Sequence, residues 1–304
     1  MTDPLRFDGR VAIVTGAGGG LGRGYAMLLA ERGAAVVVND LGTQPDGTGA
    51  PSSELADSVV AEIRAAGGTA LADANDISTE EGCRACVDRA LDEFGRLDVV
   101  INNAGINPES IFETTTTELL ERVWAVHVGG SWWLTQAAWP HLQASGAGRV
   151  VMTVSGAMYQ GFGNRPTYTL AKSALFGLVR DLAGHGHAHG IKVNGIFPGA
   201  ITRMVGSRPM PAGWTPDVVA PAVAVLAHAN CPVTGEMIET RGGEVRRVFM
   251  AITPGITVPG DELTPELVLD RLGEIVDPAG AVAAPMSNGF TPVPTGVDEL
   301  GART

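Results

Sequence analysis

Short apolar runs closed by turn residues alternate along this chain with longer stretches whose apolar positions recur at helical spacing. "RVAIVTG" is nearly all apolar, β-branched and closed by glycine, which reads as a buried strand. "GRGYAMLLAERGA" follows as a helix and stops at Gly33. "AVVVND" is a second strand, and the polar, Gly/Pro-rich "LGTQPDGTGAPSS" after it is a loop. The same alternation gives helix "ELADSVVAEIRAAGG", strand "TALADAND", a helix around "CRAC" and strand "LDVVINNAG". A helical region over 117–144 leads to strand "GRVVMTVS", helix "PTYTLAKSALFGLVRDLAGHG" and strand "IKVNGIFPG". Helix "PDVVAPAVAVLAHA" and a last short strand, "GEMIET", complete it. Strands separated by helices of this length predict an α/β fold, a doubly wound parallel sheet with helices on both faces. This pattern fills one domain, residues 1–242. Over 243–304 it loosens to one predicted helix, "ELTPELVLDRLGEIV", amid Pro/Gly/Ala-rich chain. That segment is expected to be an extension packing on the core or near the active site.

Composition narrows the classes of partner. The chain has 304 residues, 45% of them hydrophobic, enough for a substantial core. A net charge of −12 with no Lys/Arg run argues against nucleic acid and anionic lipid. Three cysteines make no disulfide framework. Cys83 and Cys86 share a CxxC, but no second pair exists and their helix is amphipathic, so they read as core and no metal is expected. "MTDPLRFDGRVAIVTG" lacks the apolar core of a signal peptide and no run is long enough to span a membrane. "GART" is not a peroxisomal address, which leaves a cytoplasmic protein as the expectation.

The first candidate site is "VTGAGGGLGRG", between the first strand and the first helix. Glycines at Gly16, Gly20 and Gly22 let the backbone approach a pyrophosphate, and the helix N-terminus offers it free N–H groups. In that context the glycine spacing reads as a Rossmann-type dinucleotide site. Asp40 ends the second strand, where a carboxylate suits an adenosine ribose and repels a 2′-phosphate, so NAD is favoured over NADP. "NNAG", Asn102 to Gly105, closes another strand at the same sheet edge, and Asp76 in "NDIS" closes the third.

The second candidate site is the stretch from Ser155 to Lys172. Pro166 suits a first helical turn, so Tyr168 and Lys172 lie one turn apart on one face. A phenol with a reference pKa near 10 needs a neighbouring cation to act as a base near neutrality. Lys172 supplies one. Ser155, at the end of a strand, can hold a substrate oxygen in line with the phenol. Tyr159 has no such cation and reads as a pocket wall.

"TGAGGGLG", "NNAG", Ser155, "YTLAK" and Pro198–Gly199, in this order and spacing across residues 8–242, resemble the short-chain dehydrogenases/reductases. The opening "LRFDGRVAIVTGAGGGLGRGYAMLLAERGAAVVVNDLG", with "EFGRLDVVINNAGI" and "VHVGGSWWLTQAAW", resembles more closely the (3R)-hydroxyacyl-CoA dehydrogenase unit of the type 2 multifunctional β-oxidation enzymes, also called 17β-hydroxysteroid dehydrogenase type 4. The resemblance implies Tyr168 as general acid/base, Lys172 as its cation and a ligand of the nicotinamide ribose, and Ser155 as the group orienting the substrate. It implies cofactor contacts from Gly16, Gly20, Leu21, Gly22, Asp40, Asp76, Ile77, Asn103, Ala104, Gly105, Tyr168, Lys172, Pro198, Gly199 and Ile201. His127 stands where most members carry a relay asparagine, and Thr202 falls one residue short of the usual threonine, with Arg203 in its place. The implied activity is NAD-dependent oxidation of a secondary alcohol. Its substrate would be a 3-hydroxyacyl-CoA with a fatty or steroid-derived acyl group. A free 17β-hydroxysteroid is the runner-up, and a non-catalytic NAD-binding scaffold is the rival class. Arg203, Arg208, Arg241, Arg246 and Arg247 are candidates for CoA phosphates. Trp132, Trp133 and Trp139 suit a subunit interface in a homodimer or homotetramer. His185, His187 and His189 lack a third ligand type and read as surface histidines at a helix C-terminus.

Overall fold

Eight strands form one sheet in the order β3-β2-β1-β4-β5-β6-β7-β8. The computed structural model describes residues 3–202, 204, 211 and 213–285. The chain divides into two units, Met1–Arg247 and Val248–Thr304. In the first unit the elements are β1 (Val11–Thr15), α1 (Gly20–Glu31), β2 (Ala35–Asn39), α2 (Glu54–Ala65), β3 (Thr69–Asp73), α3 (Glu80–Phe94) and β4 (Val99–Asn102). Then come α4 (Thr117–Trp124), α5 (Gly130–Ala144), β5 (Arg149–Thr153), α6 (Ala157–Gln160), α7 (Pro166–Gly186), β6 (Lys192–Gly199), α8 (Ala220–Ala227), β7 (Met237–Arg241) and β8 (Glu244–Val248). From β3 across to β7 the pairing is parallel. The predicted doubly wound, Rossmann-type sheet is the fold.

The central strands β1, β4 and β5 are apolar over most of their length because helices cover both faces of the sheet there. Every residue of β1, β4 and β5 is buried. One face packs the small side chains of Ala12 and Val14 against Tyr25, Leu29, Val223 and Leu226 of α1 and α8. Cys86 of the CxxC is buried in α3, as read from the sequence.

The N-terminal edge of the sheet is braced by a buried carboxylate. Asp98, just before β4, accepts the backbone N–H of Val11 at 2.9 Å and two guanidinium bonds from Arg96 at 2.6 and 2.8 Å. Arg10 approaches it at 3.5 Å. This fixes the β1–β4 register from below, while the strands' C-terminal ends stay free for chemistry.

Three details depart from the sequence pattern. The 117–144 helix is interrupted by a π turn over Ala125–Gly129. Here Gly130 sits so close to Ile77 that a Cβ would lie 2.6 Å from its Cδ1, and a Cβ on Gly129 would lie 2.6 Å from the ring of Trp133. Tight packing of this segment accompanies the shifted helical register. β8 adds a strand beyond "GEMIET". In the second unit, the predicted 262–276 helix is two pieces, α9 (Pro265–Asp270) and α10 (Leu272–Ile275), meeting at Arg271. Thr264 caps α9 by accepting the Leu267 N–H at 3.2 Å. β9 (Ala251–Ile252) and β10 (Val282–Ala283) pair antiparallel in this unit.

Replacing Asp98 with alanine leaves Arg96 and the Val11 N–H without their shared acceptor. The loss expected in urea unfolding is about 3 kcal/mol, with dinucleotide affinity unchanged because the brace lies at the opposite edge from the glycine loop.

Candidate active site

At the C-terminal edge, Thr15 ends β1 and the chain turns through 16–19 into α1. Gly19 caps α1 without a side-chain hydrogen bond, so the first N–H groups of the helix point outward unpaired by a cap. Close approach dictates the glycines. Gly16 has φ +62° and a Cβ there would stand 2.8 Å from the Ala104 Cα. At Gly22 it would stand 2.2 Å from the Gly16 carbonyl oxygen, so this glycine packs beneath the turn rather than lining the cavity. The Asp40 carboxylate accepts the Gly18 and Gly42 N–H groups, each at 2.8 Å, and so braces the turn it faces.

A cavity of about 360 Å³ opens beside this turn. Gly16, Gly20, Leu21 and Asp40 line one side. Asp76 and Ile77 line another, and Asn103, Ala104 and Gly105 a third. These nine residues were all read from the sequence. The loop 41–53 was read only as a loop, yet Gln44, Pro45 and Gly47 also line the cavity. The Pro45 carbonyl accepts the Asn107 N–H at 3.0 Å, so the loop crosses from the end of β2 to the segment after β4. Arg122, Val126 and Thr202 line it as well. No local motif marks Arg122 or the loop, because their position depends on packing between distant segments.

Asn103 ties the site together. Its backbone N–H and that of Ala104 both donate to the Thr15 hydroxyl at 3.0 Å. Its side-chain amide donates to the carbonyls of Thr15 and Gly16 at 2.9 and 3.2 Å. Its Oδ1 accepts the Thr153 hydroxyl at 3.4 Å. The Thr153 carbonyl in turn accepts the Lys172 ammonium at 2.6 Å. A continuous set of bonds therefore runs from the cavity wall to Lys172.

Tyr168 and Lys172 lie on α7, and Pro166 begins that helix as its missing N–H allows. Tyr168 is 8% exposed and Lys172 3%. The Lys172 Nζ stands 5.6 Å from the centre of the Tyr168 ring. Burial pushes the Lys172 ammonium down to about 7. Burial also raises the Tyr168 phenol, opposed by a hydrogen bond from Ser155 and by the charge of Arg165. Ser155 follows β5, and its hydroxyl accepts the Ala157 N–H at 3.2 Å. The three residues singled out from the sequence thus come together, with Arg165 as a participant that the sequence reading did not weigh.

His127 belongs to the π turn and is 1% exposed. Its Nε2 lies 2.7 Å from the Ile106 carbonyl oxygen and 3.1 Å from the Ile106 nitrogen. Its ring meets the Tyr168 ring edge-on at 5.5 Å. A Cβ on Gly105 would stand 2.3 Å from the imidazole Cε1, which explains that glycine of "NNAG". Burial first, and then Lys172, push His127 down to about 3, so it stays neutral. Nδ1 has no hydrogen-bond partner among the described residues.

The remaining candidates lie further out. Pro198 and Gly199 end β6, where Gly199 packs against the Arg241 side chain and Trp214. The Ile201 N–H donates to the Trp214 carbonyl at 2.6 Å. Arg241 pairs with Glu239 and Glu244, Arg246 with the same two, and Arg247 with Glu236. Arg203 and Arg208 lie outside the described residues. Tyr159 packs on Phe197 at 6.0 Å. Trp132 is exposed, whereas Trp139 stacks on His185 at 5.4 Å. Burial pushes the Cys83 thiol up to about 12 and Cys86 well above its ordinary value, as befits core thiols. Among the described residues no group of three or more His, Cys, Asp or Glu is placed to hold a metal ion, and no helix is long and apolar enough to cross a membrane.

Comparison with known proteins agrees with this geometry. The short chain dehydrogenase family model matches residues 10–209. The peroxisomal multifunctional enzyme type 2 of Mus musculus is 42% identical over 91% of this chain, which spans 38% of that protein's length. A short chain dehydrogenase from Mycobacterium avium superposes with a TM-score of 0.78 at 36% identity, covering 89% of this chain and 97% of that one. A 7α-hydroxysteroid dehydrogenase in complex with NADH and 7-oxoglycochenodeoxycholic acid superposes with a TM-score of 0.72 at 30% identity, covering 80% of this chain and 98% of that one. Fold, site and relatives lead to one assignment: this chain is an oxidoreductase of the short-chain dehydrogenase family.

Proposed function

We propose that the protein is an NAD-dependent dehydrogenase that oxidises the hydroxyl of a 3-hydroxyacyl-CoA to the ketone. The observation that carries the chemistry is the bonded path from the dinucleotide cavity through Asn103, Thr153 and Lys172 to the face of Tyr168. The substrate class rests on the likeness to the multifunctional enzyme over nearly the whole chain.

The cavity residues fit a dinucleotide. Gly16, Gly19 and Gly20 line the cavity, and the positive φ of Gly16 (+62°) and Gly20 (+52°) keeps its wall bare backbone, as close approach of a pyrophosphate requires. Asp40 would hold the adenosine ribose, Asp76 and Ile77 would border the adenine, and Lys172 the nicotinamide ribose. Pro198, Gly199 and Ile201 would border the nicotinamide. When bound, NAD supplies the hydride acceptor. This chain's own part is proton transfer and orientation. Ser155 fixes the substrate oxygen by hydrogen bonding. Tyr168 takes the hydroxyl proton at its phenol oxygen, and burial of the site excludes competing water. A homodimer or homotetramer and a cytoplasmic place of action belong to the same reading, the former supported by the exposed Trp132.

The deciding assay follows NADH formation with purified protein, NAD, and either 3-hydroxyacyl-CoAs of several chain lengths or free 17β-hydroxysteroids. Turnover of the thioesters alone is the expected result. Turnover of steroids alone would replace the substrate reading, which the steroid-complexed relative makes the natural second choice. Turnover of neither by a protein that binds NAD would leave the scaffold reading.

Tyr168→Phe removes the proton acceptor without touching the glycine turn. The expected loss in kcat is about 10²–10⁴-fold, with NADH affinity by fluorescence titration nearly unchanged. Asp40→Ala removes the ribose acceptor and the brace on Gly18 together. NAD affinity should fall about tenfold or more, and the ratio of NADP to NAD use should rise.

A further inference from the structure

Arg165 is the least expected charge in the molecule. It precedes α7, a helix of 21 residues, and a cation beside a helix N-terminus opposes the dipole. It is also buried, at 7% exposure. One nitrogen, Nη2, donates to the Glu109 carboxylate at 2.5 Å, and Glu109 itself is 65% exposed. The Nε is buried with no hydrogen-bond partner among the described residues. A guanidinium in this position is costly for stability alone, because its ionic partner is largely in water.

Its spacing supplies a reason. Arg165 is the N-cap of α7 and Tyr168 lies three residues on, in the first turn, where the guanidinium charge bears on the phenol; Lys172 follows one helical turn later. Lys172, stripped of solvent, holds its proton weakly. Arginine keeps its charge under all ordinary conditions. The other groups around α7 do not compete. His127 of the π turn stays neutral, and Ser155 carries no charge. Tyr159 of α6 turns toward Glu239, Lys192 of β6 donates to the Cys231 carbonyl, and Glu118, Glu121 and Arg122 of α4 are exposed.

We propose that Arg165 is a second cation of the active site, stabilising the negative charge on Tyr168, and that Glu109 moderates it by partly neutralising the guanidinium. The inference rests on Tyr168 being the proton-transfer group proposed above. Arg165 acts through Tyr168 and is a positioning residue. In the oxidative direction the tyrosinate is the active form, so a cation that favours it extends activity toward lower pH.

The test is an ultraviolet difference titration of tyrosinate, each protein being read against the same protein carrying Tyr168→Phe, so that Tyr25 and Tyr159 cancel. It needs no substrate. Arg165→Gln should raise the Tyr168 midpoint by about one unit or more, Arg165→Lys should leave it near the parent value, and Glu109→Gln should lower it. The acidic limb of kcat/KM should move with each midpoint. An unchanged midpoint in Arg165→Gln would overturn the proposal. So would a shift of Arg165→Gln and Glu109→Gln in the same direction, since both break one tether between the 103–111 segment and α7. Should Arg165→Gln not fold, the exposed Glu109→Gln decides, and an unchanged or raised midpoint there counts against it. If instead Tyr168→Phe keeps full turnover, the functional reading fails, whatever the titration shows.

Discussion

The bonds between Thr15 and Asn103 hold the site in register. The chain leaving β1 and the chain leaving β4 both line the cavity, and strand ends are where backbone groups lose their ladder partners. Asn103 satisfies the carbonyls of Thr15 and Gly16, and the Thr15 hydroxyl satisfies the N–H groups of Asn103 and Ala104. The glycine turn and the "NNAG" turn are thereby fixed against each other. The space for a Cβ at Gly16 and Gly22 disappears as a direct consequence.

Desolvation is the second organising effect, and it acts on Lys172, Tyr168 and His127 at once. It disfavours the charged form of each, so it lowers the lysine, raises the phenol and keeps the imidazole neutral. Hydrogen bonding and nearby charge then work against burial at the phenol. The proposed proton transfer at Tyr168 draws on that opposition: a dry pocket strengthens each remaining electrostatic contact and would exclude water from the reacting atoms.

Much of the fold was legible because a sheet covered on both faces writes itself as apolar runs, as in Val11–Thr15 and Val99–Asn102. The cavity residues were legible where chemistry is local, as in the glycine turn and Asp40. The π turn at Ala125–Gly129 was not, because a shift of one residue in helical hydrogen bonding barely alters apolar spacing. Nor was the division at Arg271, where the apolar pattern of 262–276 runs on without a break at that position. The loop 41–53 could be read as irregular, but not as a cavity wall, since its seat on Asn107 joins segments far apart in sequence. Arg165 shows the same limit. It is three residues from Tyr168, yet its burial and its pairing with Glu109 emerge only in three dimensions.

The brace at Asp98 has a consequence for how such a chain can change over generations. It anchors β1 to β4 at the edge away from the cavity, using groups that no cofactor or substrate would touch. Tolerance for substitution and selectivity for a ligand therefore draw on different residues. The pocket wall can change while the frame beneath it stays in register, which is one physical route by which a single scaffold diversifies.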